Sequence, residues 1–191
     1  MQNTIIYLIG YPGVGKLTIA KALCELTGAR LVDNHMANNP IFSIIAVDGN
    51  TKIPEAAWDR VKAVRDILFD TILHVAPRTS SYVLTNVLLD DDGDRDLFEQ
   101  VRRLAEQRTS LFVPVVLQCQ KGEHLKRVAA PGRAENYKDS QPSSLEKLMA
   151  ERPLLPIVHP YVLRLDTTSL SPQEAASAIL KHIDCIALAR S

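Results

Sequence analysis

The chain has 191 residues, 46% of them hydrophobic and 23% charged, the composition of one globular domain long enough to bury a core. Its 22 basic and 22 acidic side chains cancel, which removes the general attraction of a basic protein for DNA or RNA, so any anion site must be local. No run approaches the roughly 20 apolar residues of a membrane span. Three widely spaced cysteines, Cys24, Cys119 and Cys185, read as buried free thiols in a reducing, cytoplasmic setting.

An apolar run over 4–9 predicts the first strand. It leads into Gly10-Tyr11-Pro12-Gly13-Val14-Gly15-Lys16-Leu17-Thr18. A helical pattern over 16–26 follows, with Ile19, Ala20, Leu23 and Leu26 on one face and Gly28 as a stop signal. Strand, glycine-rich turn and helix in that order is the setting in which Gly-x-x-x-x-Gly-Lys is a phosphate loop. Glycines let backbone N–H groups turn inward around an anion, the helix N-terminus adds partial positive charge, and the lysine bridges terminal phosphates. Gly10, Gly13, Val14, Gly15, Lys16, Leu17 and Thr18 are therefore the expected nucleotide contacts. The hydroxyl that such loops carry directly after the lysine, to ligate Mg²⁺, is replaced by Leu17. Thr18 lies about 100° further round the helix, so the metal is expected on nucleotide oxygens, water and an acid elsewhere.

A second strand over 29–32 ends in Asp33-Asn34-His35. Ligands of parallel sheets gather at the carboxyl ends of the strands, which brings Asp33 to the crevice of the phosphate loop. There it can act as a base, hold a metal-bound water, or merely cap a turn. His35 is a candidate for the acceptor pocket, and the mixed segment 35–53 reads as a substrate-side excursion. A long helix over 54–75 places Trp58, Val61, Val64, Leu68, Ile72 and Val75 at spacings of three and four. A strand over 82–88 carries Asn86 toward the same crevice; a helix over 94–107 and a strand over 111–117 follow. The excursion 121–141 holds Lys126, Arg127, Arg133 and Lys138 and reads as a lid closing positive charge over a triphosphate. Ser143-Ser144-Leu145-Glu146 and Ser171-Pro172-Gln173-Glu174 read as capping boxes, the second opening a helix to about residue 189 after a last strand over 162–165. The alternation predicts one α/β domain over 1–191, a parallel sheet with helices on both faces. The five histidines show no metal-ligand spacing.

This pattern resembles the P-loop kinases of the shikimate and gluconate kinase type and, more loosely, the chloramphenicol phosphotransferase and zeta-toxin relatives. The resemblance covers nearly the whole chain. It rests on the loop 10–18, Asp33, Leu125-Lys126-Arg127, Arg133, Glu151-Arg152-Pro153-Leu154-Leu155, Asp166-Thr167 and Ser171-Pro172. It implies a P-loop nucleoside triphosphate hydrolase fold, a three-layer sandwich with five parallel strands in the order 2-3-1-4-5. By the same resemblance Arg127 and Pro172 flank an adenine, Arg133 reaches the phosphates from the lid, and Arg152 contacts a substrate carboxylate. Three departures stand out. The second acid of the Asp-x-Asp after strand two is His35, the glycine triplet at strand three is Thr85-Asn86-Val87, and the loop hydroxyl is Leu17.

Together these readings predict an ATP- and Mg²⁺-dependent transfer of the γ-phosphoryl group to the hydroxyl of a small molecule, with no nucleic-acid or membrane partner. Lys16, Asp33, Arg127 and Arg133 are the expected catalytic residues, and His35, Asn86 and Arg152 line the acceptor pocket. A nucleoside or nucleotide kinase and a non-catalytic nucleotide-binding regulator remain as alternatives.

Overall fold

The computed structural model of the chain describes residues 1–45, 53–130 and 141–190. Five strands, β1 (Thr4–Ile9), β2 (Arg30–Asp33), β3 (Tyr82–Asn86), β4 (Leu111–Gln118) and β5 (Leu163–Asp166), form one parallel sheet in the order β2-β3-β1-β4-β5, as the resemblance implies. β1 lies at the centre, and all six of its residues are buried. Its odd positions Ile5, Tyr7 and Ile9 join Leu84, Phe98, Val101 and Phe112 in one core, and its even positions Ile6 and Leu8 join Val83, Val115, Leu23 and Ile179 in another. A strand apolar at five consecutive positions, 5–9, has to be covered on both faces, and the helices do this.

Helices α1 (Lys16–Thr27) and α7 (Pro172–Arg190) cover the second face. The first is covered by α4 (Asp92–Arg108) and by α3 (Glu55–Asp70), which runs on as a π-helical turn over Thr71–Val75. Along α3 and its π-helical extension, Val61 and Ile72 are buried as their spacing predicts. Trp58 is 46% and Val75 75% exposed, so the apolar face is shorter than the periodicity implies, and Trp58 instead meets Phe42 edge to face at 5.2 Å. Ser171 and Glu174 form the expected capping box, each side chain bonded to the other's backbone N–H at 3.2 and 2.8 Å.

Both excursions begin as helices, and two expectations, the Ser143 capping box and the buried cysteines, are corrected. The segment after Asp33 begins as a helix, α2 (His35–Ile44), packed against α3 through Phe42 and Val61; the remainder of that excursion, 46–52, lies outside the described residues. The basic excursion begins as α5 (Lys121–Ala129), and Arg133 and Lys138 lie outside the described residues. The helix α6 (Pro142–Glu151) starts at proline, with Gln141 at the cap position and no side-chain cap, because a proline's missing N–H is harmless in a first turn. The cysteines are free but not buried: Cys24 and Cys119 are half-buried and Cys185 is exposed.

Candidate functional site

The carboxyl end of β1 turns straight into the glycine-rich loop. Gly10 has no room for a side chain: a Cβ there would lie 2.7 Å from the carbonyl oxygen of Leu117 and 2.9 Å from Val14. Gly13 and Gly15 have φ of +93° and +97°, conformations closed to most L side chains. Gly15 is the cap residue of α1, whose N-terminus no side chain caps, so the positive end of that helix is presented to the loop. Lys16 lies across it, donating from Nζ to the carbonyls of Gly10 at 2.6 Å and Tyr11 at 2.9 Å. The uncapped helix N-terminus and the ammonium beside it are the components of a cradle for an anion of phosphate shape.

The loop is held from below by His124, which the sequence reading did not single out, and by Thr167, which it quoted for the resemblance without a role. His124 of α5 is 1% exposed, and its Nε2 donates to the carbonyl of Pro12 at 2.6 Å. Thr167, also buried, donates to the carbonyl oxygens of Val14 and Gln118, each at 3.0 Å. A histidine in a basic helix and a threonine after a strand carry no periodic signature, so their roles emerge only when α5 and β5 are laid beside the loop.

Beyond the loop, strand register gathers the other candidates. Asp33 pairs with Thr85, and Thr85 with Leu8. Asp33 is therefore two strands from β1, about 10 Å at the usual spacing, across the crevice from the loop. Its Oδ1 accepts the backbone N–H of His35 at 2.9 Å and faces that residue's Nδ1 at 2.5 Å, and its Oδ2 accepts the Thr85 hydroxyl at 2.8 Å. Burial pushes the carboxyl up, but the hydrogen bonds from His35 and Thr85 and the attraction of the imidazole prevail and hold it down at about 2. Between Asp33 and the loop lies Asn86, whose Oδ1 accepts the buried Tyr7 hydroxyl at 3.1 Å and whose backbone carbonyl accepts the N–H of Gly10 at 3.3 Å.

Arg152 ends α6 at the rim, half-exposed and ion-paired with Asp91. It is kept there by Tyr11, whose hydroxyl donates to its carbonyl at 2.9 Å, and by backbone bonds from Asp90 to Pro153 and from Leu155 to Leu88. Arg65 of α3 joins this group. Its charge acts on both Tyr7 and Asp94, and its buried Nε has no hydrogen-bond partner among the described residues. Arg65 stands four residues after Val61 and three before Leu68, on the inward face of α3, and the helical period alone contained that signal.

Arg127 is placed differently from the other candidates. It pairs with Glu123 at 2.9 Å and donates from Nη2 to the carbonyls of Thr167 and Thr168 at 2.9 and 3.0 Å, clamping the turn that leads to Pro172 at the start of α7. It reaches the phosphate loop only through the Thr167 hydroxyl, 3.4 Å from its Nη1.

The donors fit a nucleotide better than a metal. Leu17 brings no ligand, the Thr18 hydroxyl is turned back onto the carbonyl of Gly15 at 2.8 Å, and the described residues contain no cluster of three His, Cys, Asp or Glu side chains able to hold a metal ion.

A family described as an AAA domain matches residues 5–155, which is most of the chain and includes the loop, Asp33, Asn86 and Arg152. The chain belongs to that family. No curated protein sequence matches it. Among solved structures it is similar to a gluconokinase from Sinorhizobium meliloti, with 16% identity, TM-score 0.63 and coverage of 96% of this chain and 93% of that one. A shikimate kinase from Acinetobacter baumannii in complex with shikimate has 18% identity, TM-score 0.57 and coverage of 96% and 94%. A thymidylate kinase from Candida albicans has 14% identity, TM-score 0.62 and coverage of 97% and 92%. The AAA-domain chain thus has the P-loop kinase fold over nearly its whole length. Among the described residues no helix is long and apolar enough to cross a membrane.

Proposed function

We propose that this chain is an ATP-dependent phosphotransferase that moves a γ-phosphoryl group to the hydroxyl of a small molecule. One observation carries the reading. Strand register sets Asp33, with His35 and Thr85 bonded to it, two strand spacings from the strand that leads into the loop and Lys16, with Asn86 on the strand between. An anion cradle on one side and hydrogen-bonding groups on the other suit a reaction that depends on positioning and charge stabilisation.

In this reading the loop amides and Lys16 hold the β- and γ-phosphates, with Lys16 leaving the Gly10 and Tyr11 carbonyls to do so. Arg127, through its clamp on Thr167 and Thr168, shapes the base pocket next to Pro172, and Arg133 supplies lid charge. Asn86, Arg65 and Arg152 line the acceptor side, where two arginines favour an acceptor bearing a carboxylate or phosphate. Mg²⁺ would come with the nucleotide, held by phosphate oxygens and water, since the described residues offer no ligand set for it.

The decisive measurement is a calorimetric titration with ATP and a non-hydrolysable analogue. Micromolar to millimolar binding is expected for the native chain and none for Lys16→Ala; unchanged affinity in that variant removes the site assignment. Labelled ATP with a panel of gluconate, shikimate and thymidine monophosphate then separates a polyol or acid acceptor from a nucleotide acceptor. Leu17 favours a second reading, a nucleotide-binding regulator without turnover. It holds if ATP binds equally well with and without Mg²⁺ and no acceptor, water included, is phosphorylated.

A further inference from the structure

The contacts of Asp33 go beyond those of a turn cap. A cap needs only the bond from the His35 backbone N–H to Oδ1, which is present at 2.9 Å. The same carboxylate also grips the imidazole at Nδ1, 2.5 Å away, and is fixed from the neighbouring strand by Thr85 at 2.8 Å. Three donors on two oxygens leave Asp33, 12% exposed, little capacity to take up another proton, and its carboxyl is held low. An ionised carboxylate has only lone pairs to offer, so the proton between the two residues belongs to Nδ1 of the ring. In a neutral imidazole with its proton on Nδ1, the lone pair is on Nε2. Among the described residues nothing is paired with that nitrogen, and the side chain is 27% exposed.

We propose that His35, through Nε2, is the general base that takes the proton from the acceptor hydroxyl, with Asp33 and Thr85 as positioning residues that fix its tautomer and orientation. This moves the base from Asp33 to the residue beside it. It rests on the phosphotransferase reading above. The hydroxyl oxygen forms a bond to the γ-phosphorus as the bond from that phosphorus to the β–γ bridging oxygen breaks, and its electron pair leaves with ADP. The hydroxyl proton passes to Nε2. The resulting imidazolium is stabilised by the Asp33 carboxylate, and its proton returns to solvent from the exposed edge of the ring.

The test uses the full chain with labelled ATP and water as the surrogate acceptor. In His35→Gln, hydrolysis falls roughly 100-fold or more, the size of a general-base contribution, while ATP affinity stays within threefold. In His35→Ala, exogenous imidazole restores at least a tenth of the lost rate, which a purely structural role would not allow. Nitrogen NMR of the ¹⁵N-imidazole-labelled chain shows the His35 proton on Nδ1 in the native protein, and in Asp33→Ala, where no acceptor faces that nitrogen, the preference for Nδ1 is lost. Hydrolysis by His35→Gln within threefold of native, or a native proton on Nε2, overturns the base assignment and leaves the kinase reading intact. A native chain that neither binds nor turns over ATP overturns both.

Discussion

His124 and Pro12 are 112 positions apart in sequence and joined by one hydrogen bond of 2.6 Å, from the imidazole Nε2 to the carbonyl that opens the turn of the phosphate loop. The bond fastens α5, the start of the basic excursion, to the glycine-rich loop. Gly13 lies against the same ring, since a Cβ on it would come within 3.1 Å of His124 Cδ2.

Replacing His124 with Leu roughly keeps the side-chain volume and removes the donor. Leaving a buried carbonyl unsatisfied costs about 1–3 kcal/mol. The expected result is a thermal midpoint lowered by several degrees and ATP affinity weakened about tenfold, read by calorimetry. Affinity equal to native would show that the loop keeps its shape without α5.

The loop glycines should differ in a set order. Gly15→Ala meets nothing closer than 3.4 Å, so it carries only the cost of a positive φ, roughly 1–2 kcal/mol. Gly13→Ala adds a contact of 2.6 Å with Val128 to a similar φ and should lose more stability in urea unfolding. Gly28→Ala, with open space around it, should resemble Gly15→Ala in stability and leave ATP binding unchanged.

Asp33 makes stability depend on pH at the acid end. Its carboxyl is about 2 when folded against an ordinary 3.8, so the charged form is favoured by folding. That contribution, on the order of 2 kcal/mol, is fully present above pH 5 and is lost as pH falls from about 4 toward 2. Asp33→Asn should unfold more readily at pH 7 and show a shallower loss of stability over that window, measured by denaturant titrations at fixed pH.

Leu17→Ser restores a hydroxyl directly after the lysine. Steeper Mg²⁺ dependence and turnover raised tenfold or more are expected with labelled ATP, the signature of a site limited by its metal. No change would indicate that the nucleotide's own oxygens and water satisfy the ion.

The phosphate loop and the parallel α/β architecture were legible in the sequence because both depend on local facts. A strand apolar at the five positions 5–9 has to be buried on two faces, and glycines at 10, 13 and 15 before Lys16 form a backbone pattern carried by consecutive residues. The helical start after Asp33 was not legible, because its run His35-Met36-Ala37-Asn38-Asn39-Pro40 has weak helical preference, and Phe42 and Val61 stabilise it only through packing against α3. Burial of Arg108 was not legible either. At the end of a helix it reads as a surface charge, yet it is fully buried, donating to the carbonyls of Ile72 and Pro77 and lying 5.3 Å over the Tyr82 ring.

The same division runs through the site. Sequence by itself determined that a phosphate-loop pattern follows the first strand at Gly10–Thr18 and that Asp33 ends a neighbouring part of the sheet. Only the tertiary structure decided what surrounds these groups: His124 and Thr167 beneath the loop, Arg65 turned inward, Arg127 clamped on the turn before α7, and the Asp33 carboxylate committed to His35 and Thr85. Backbone pattern is written in neighbouring residues. Hydrogen-bond partnership is decided by strand register and helix packing, which bring together residues tens of positions apart.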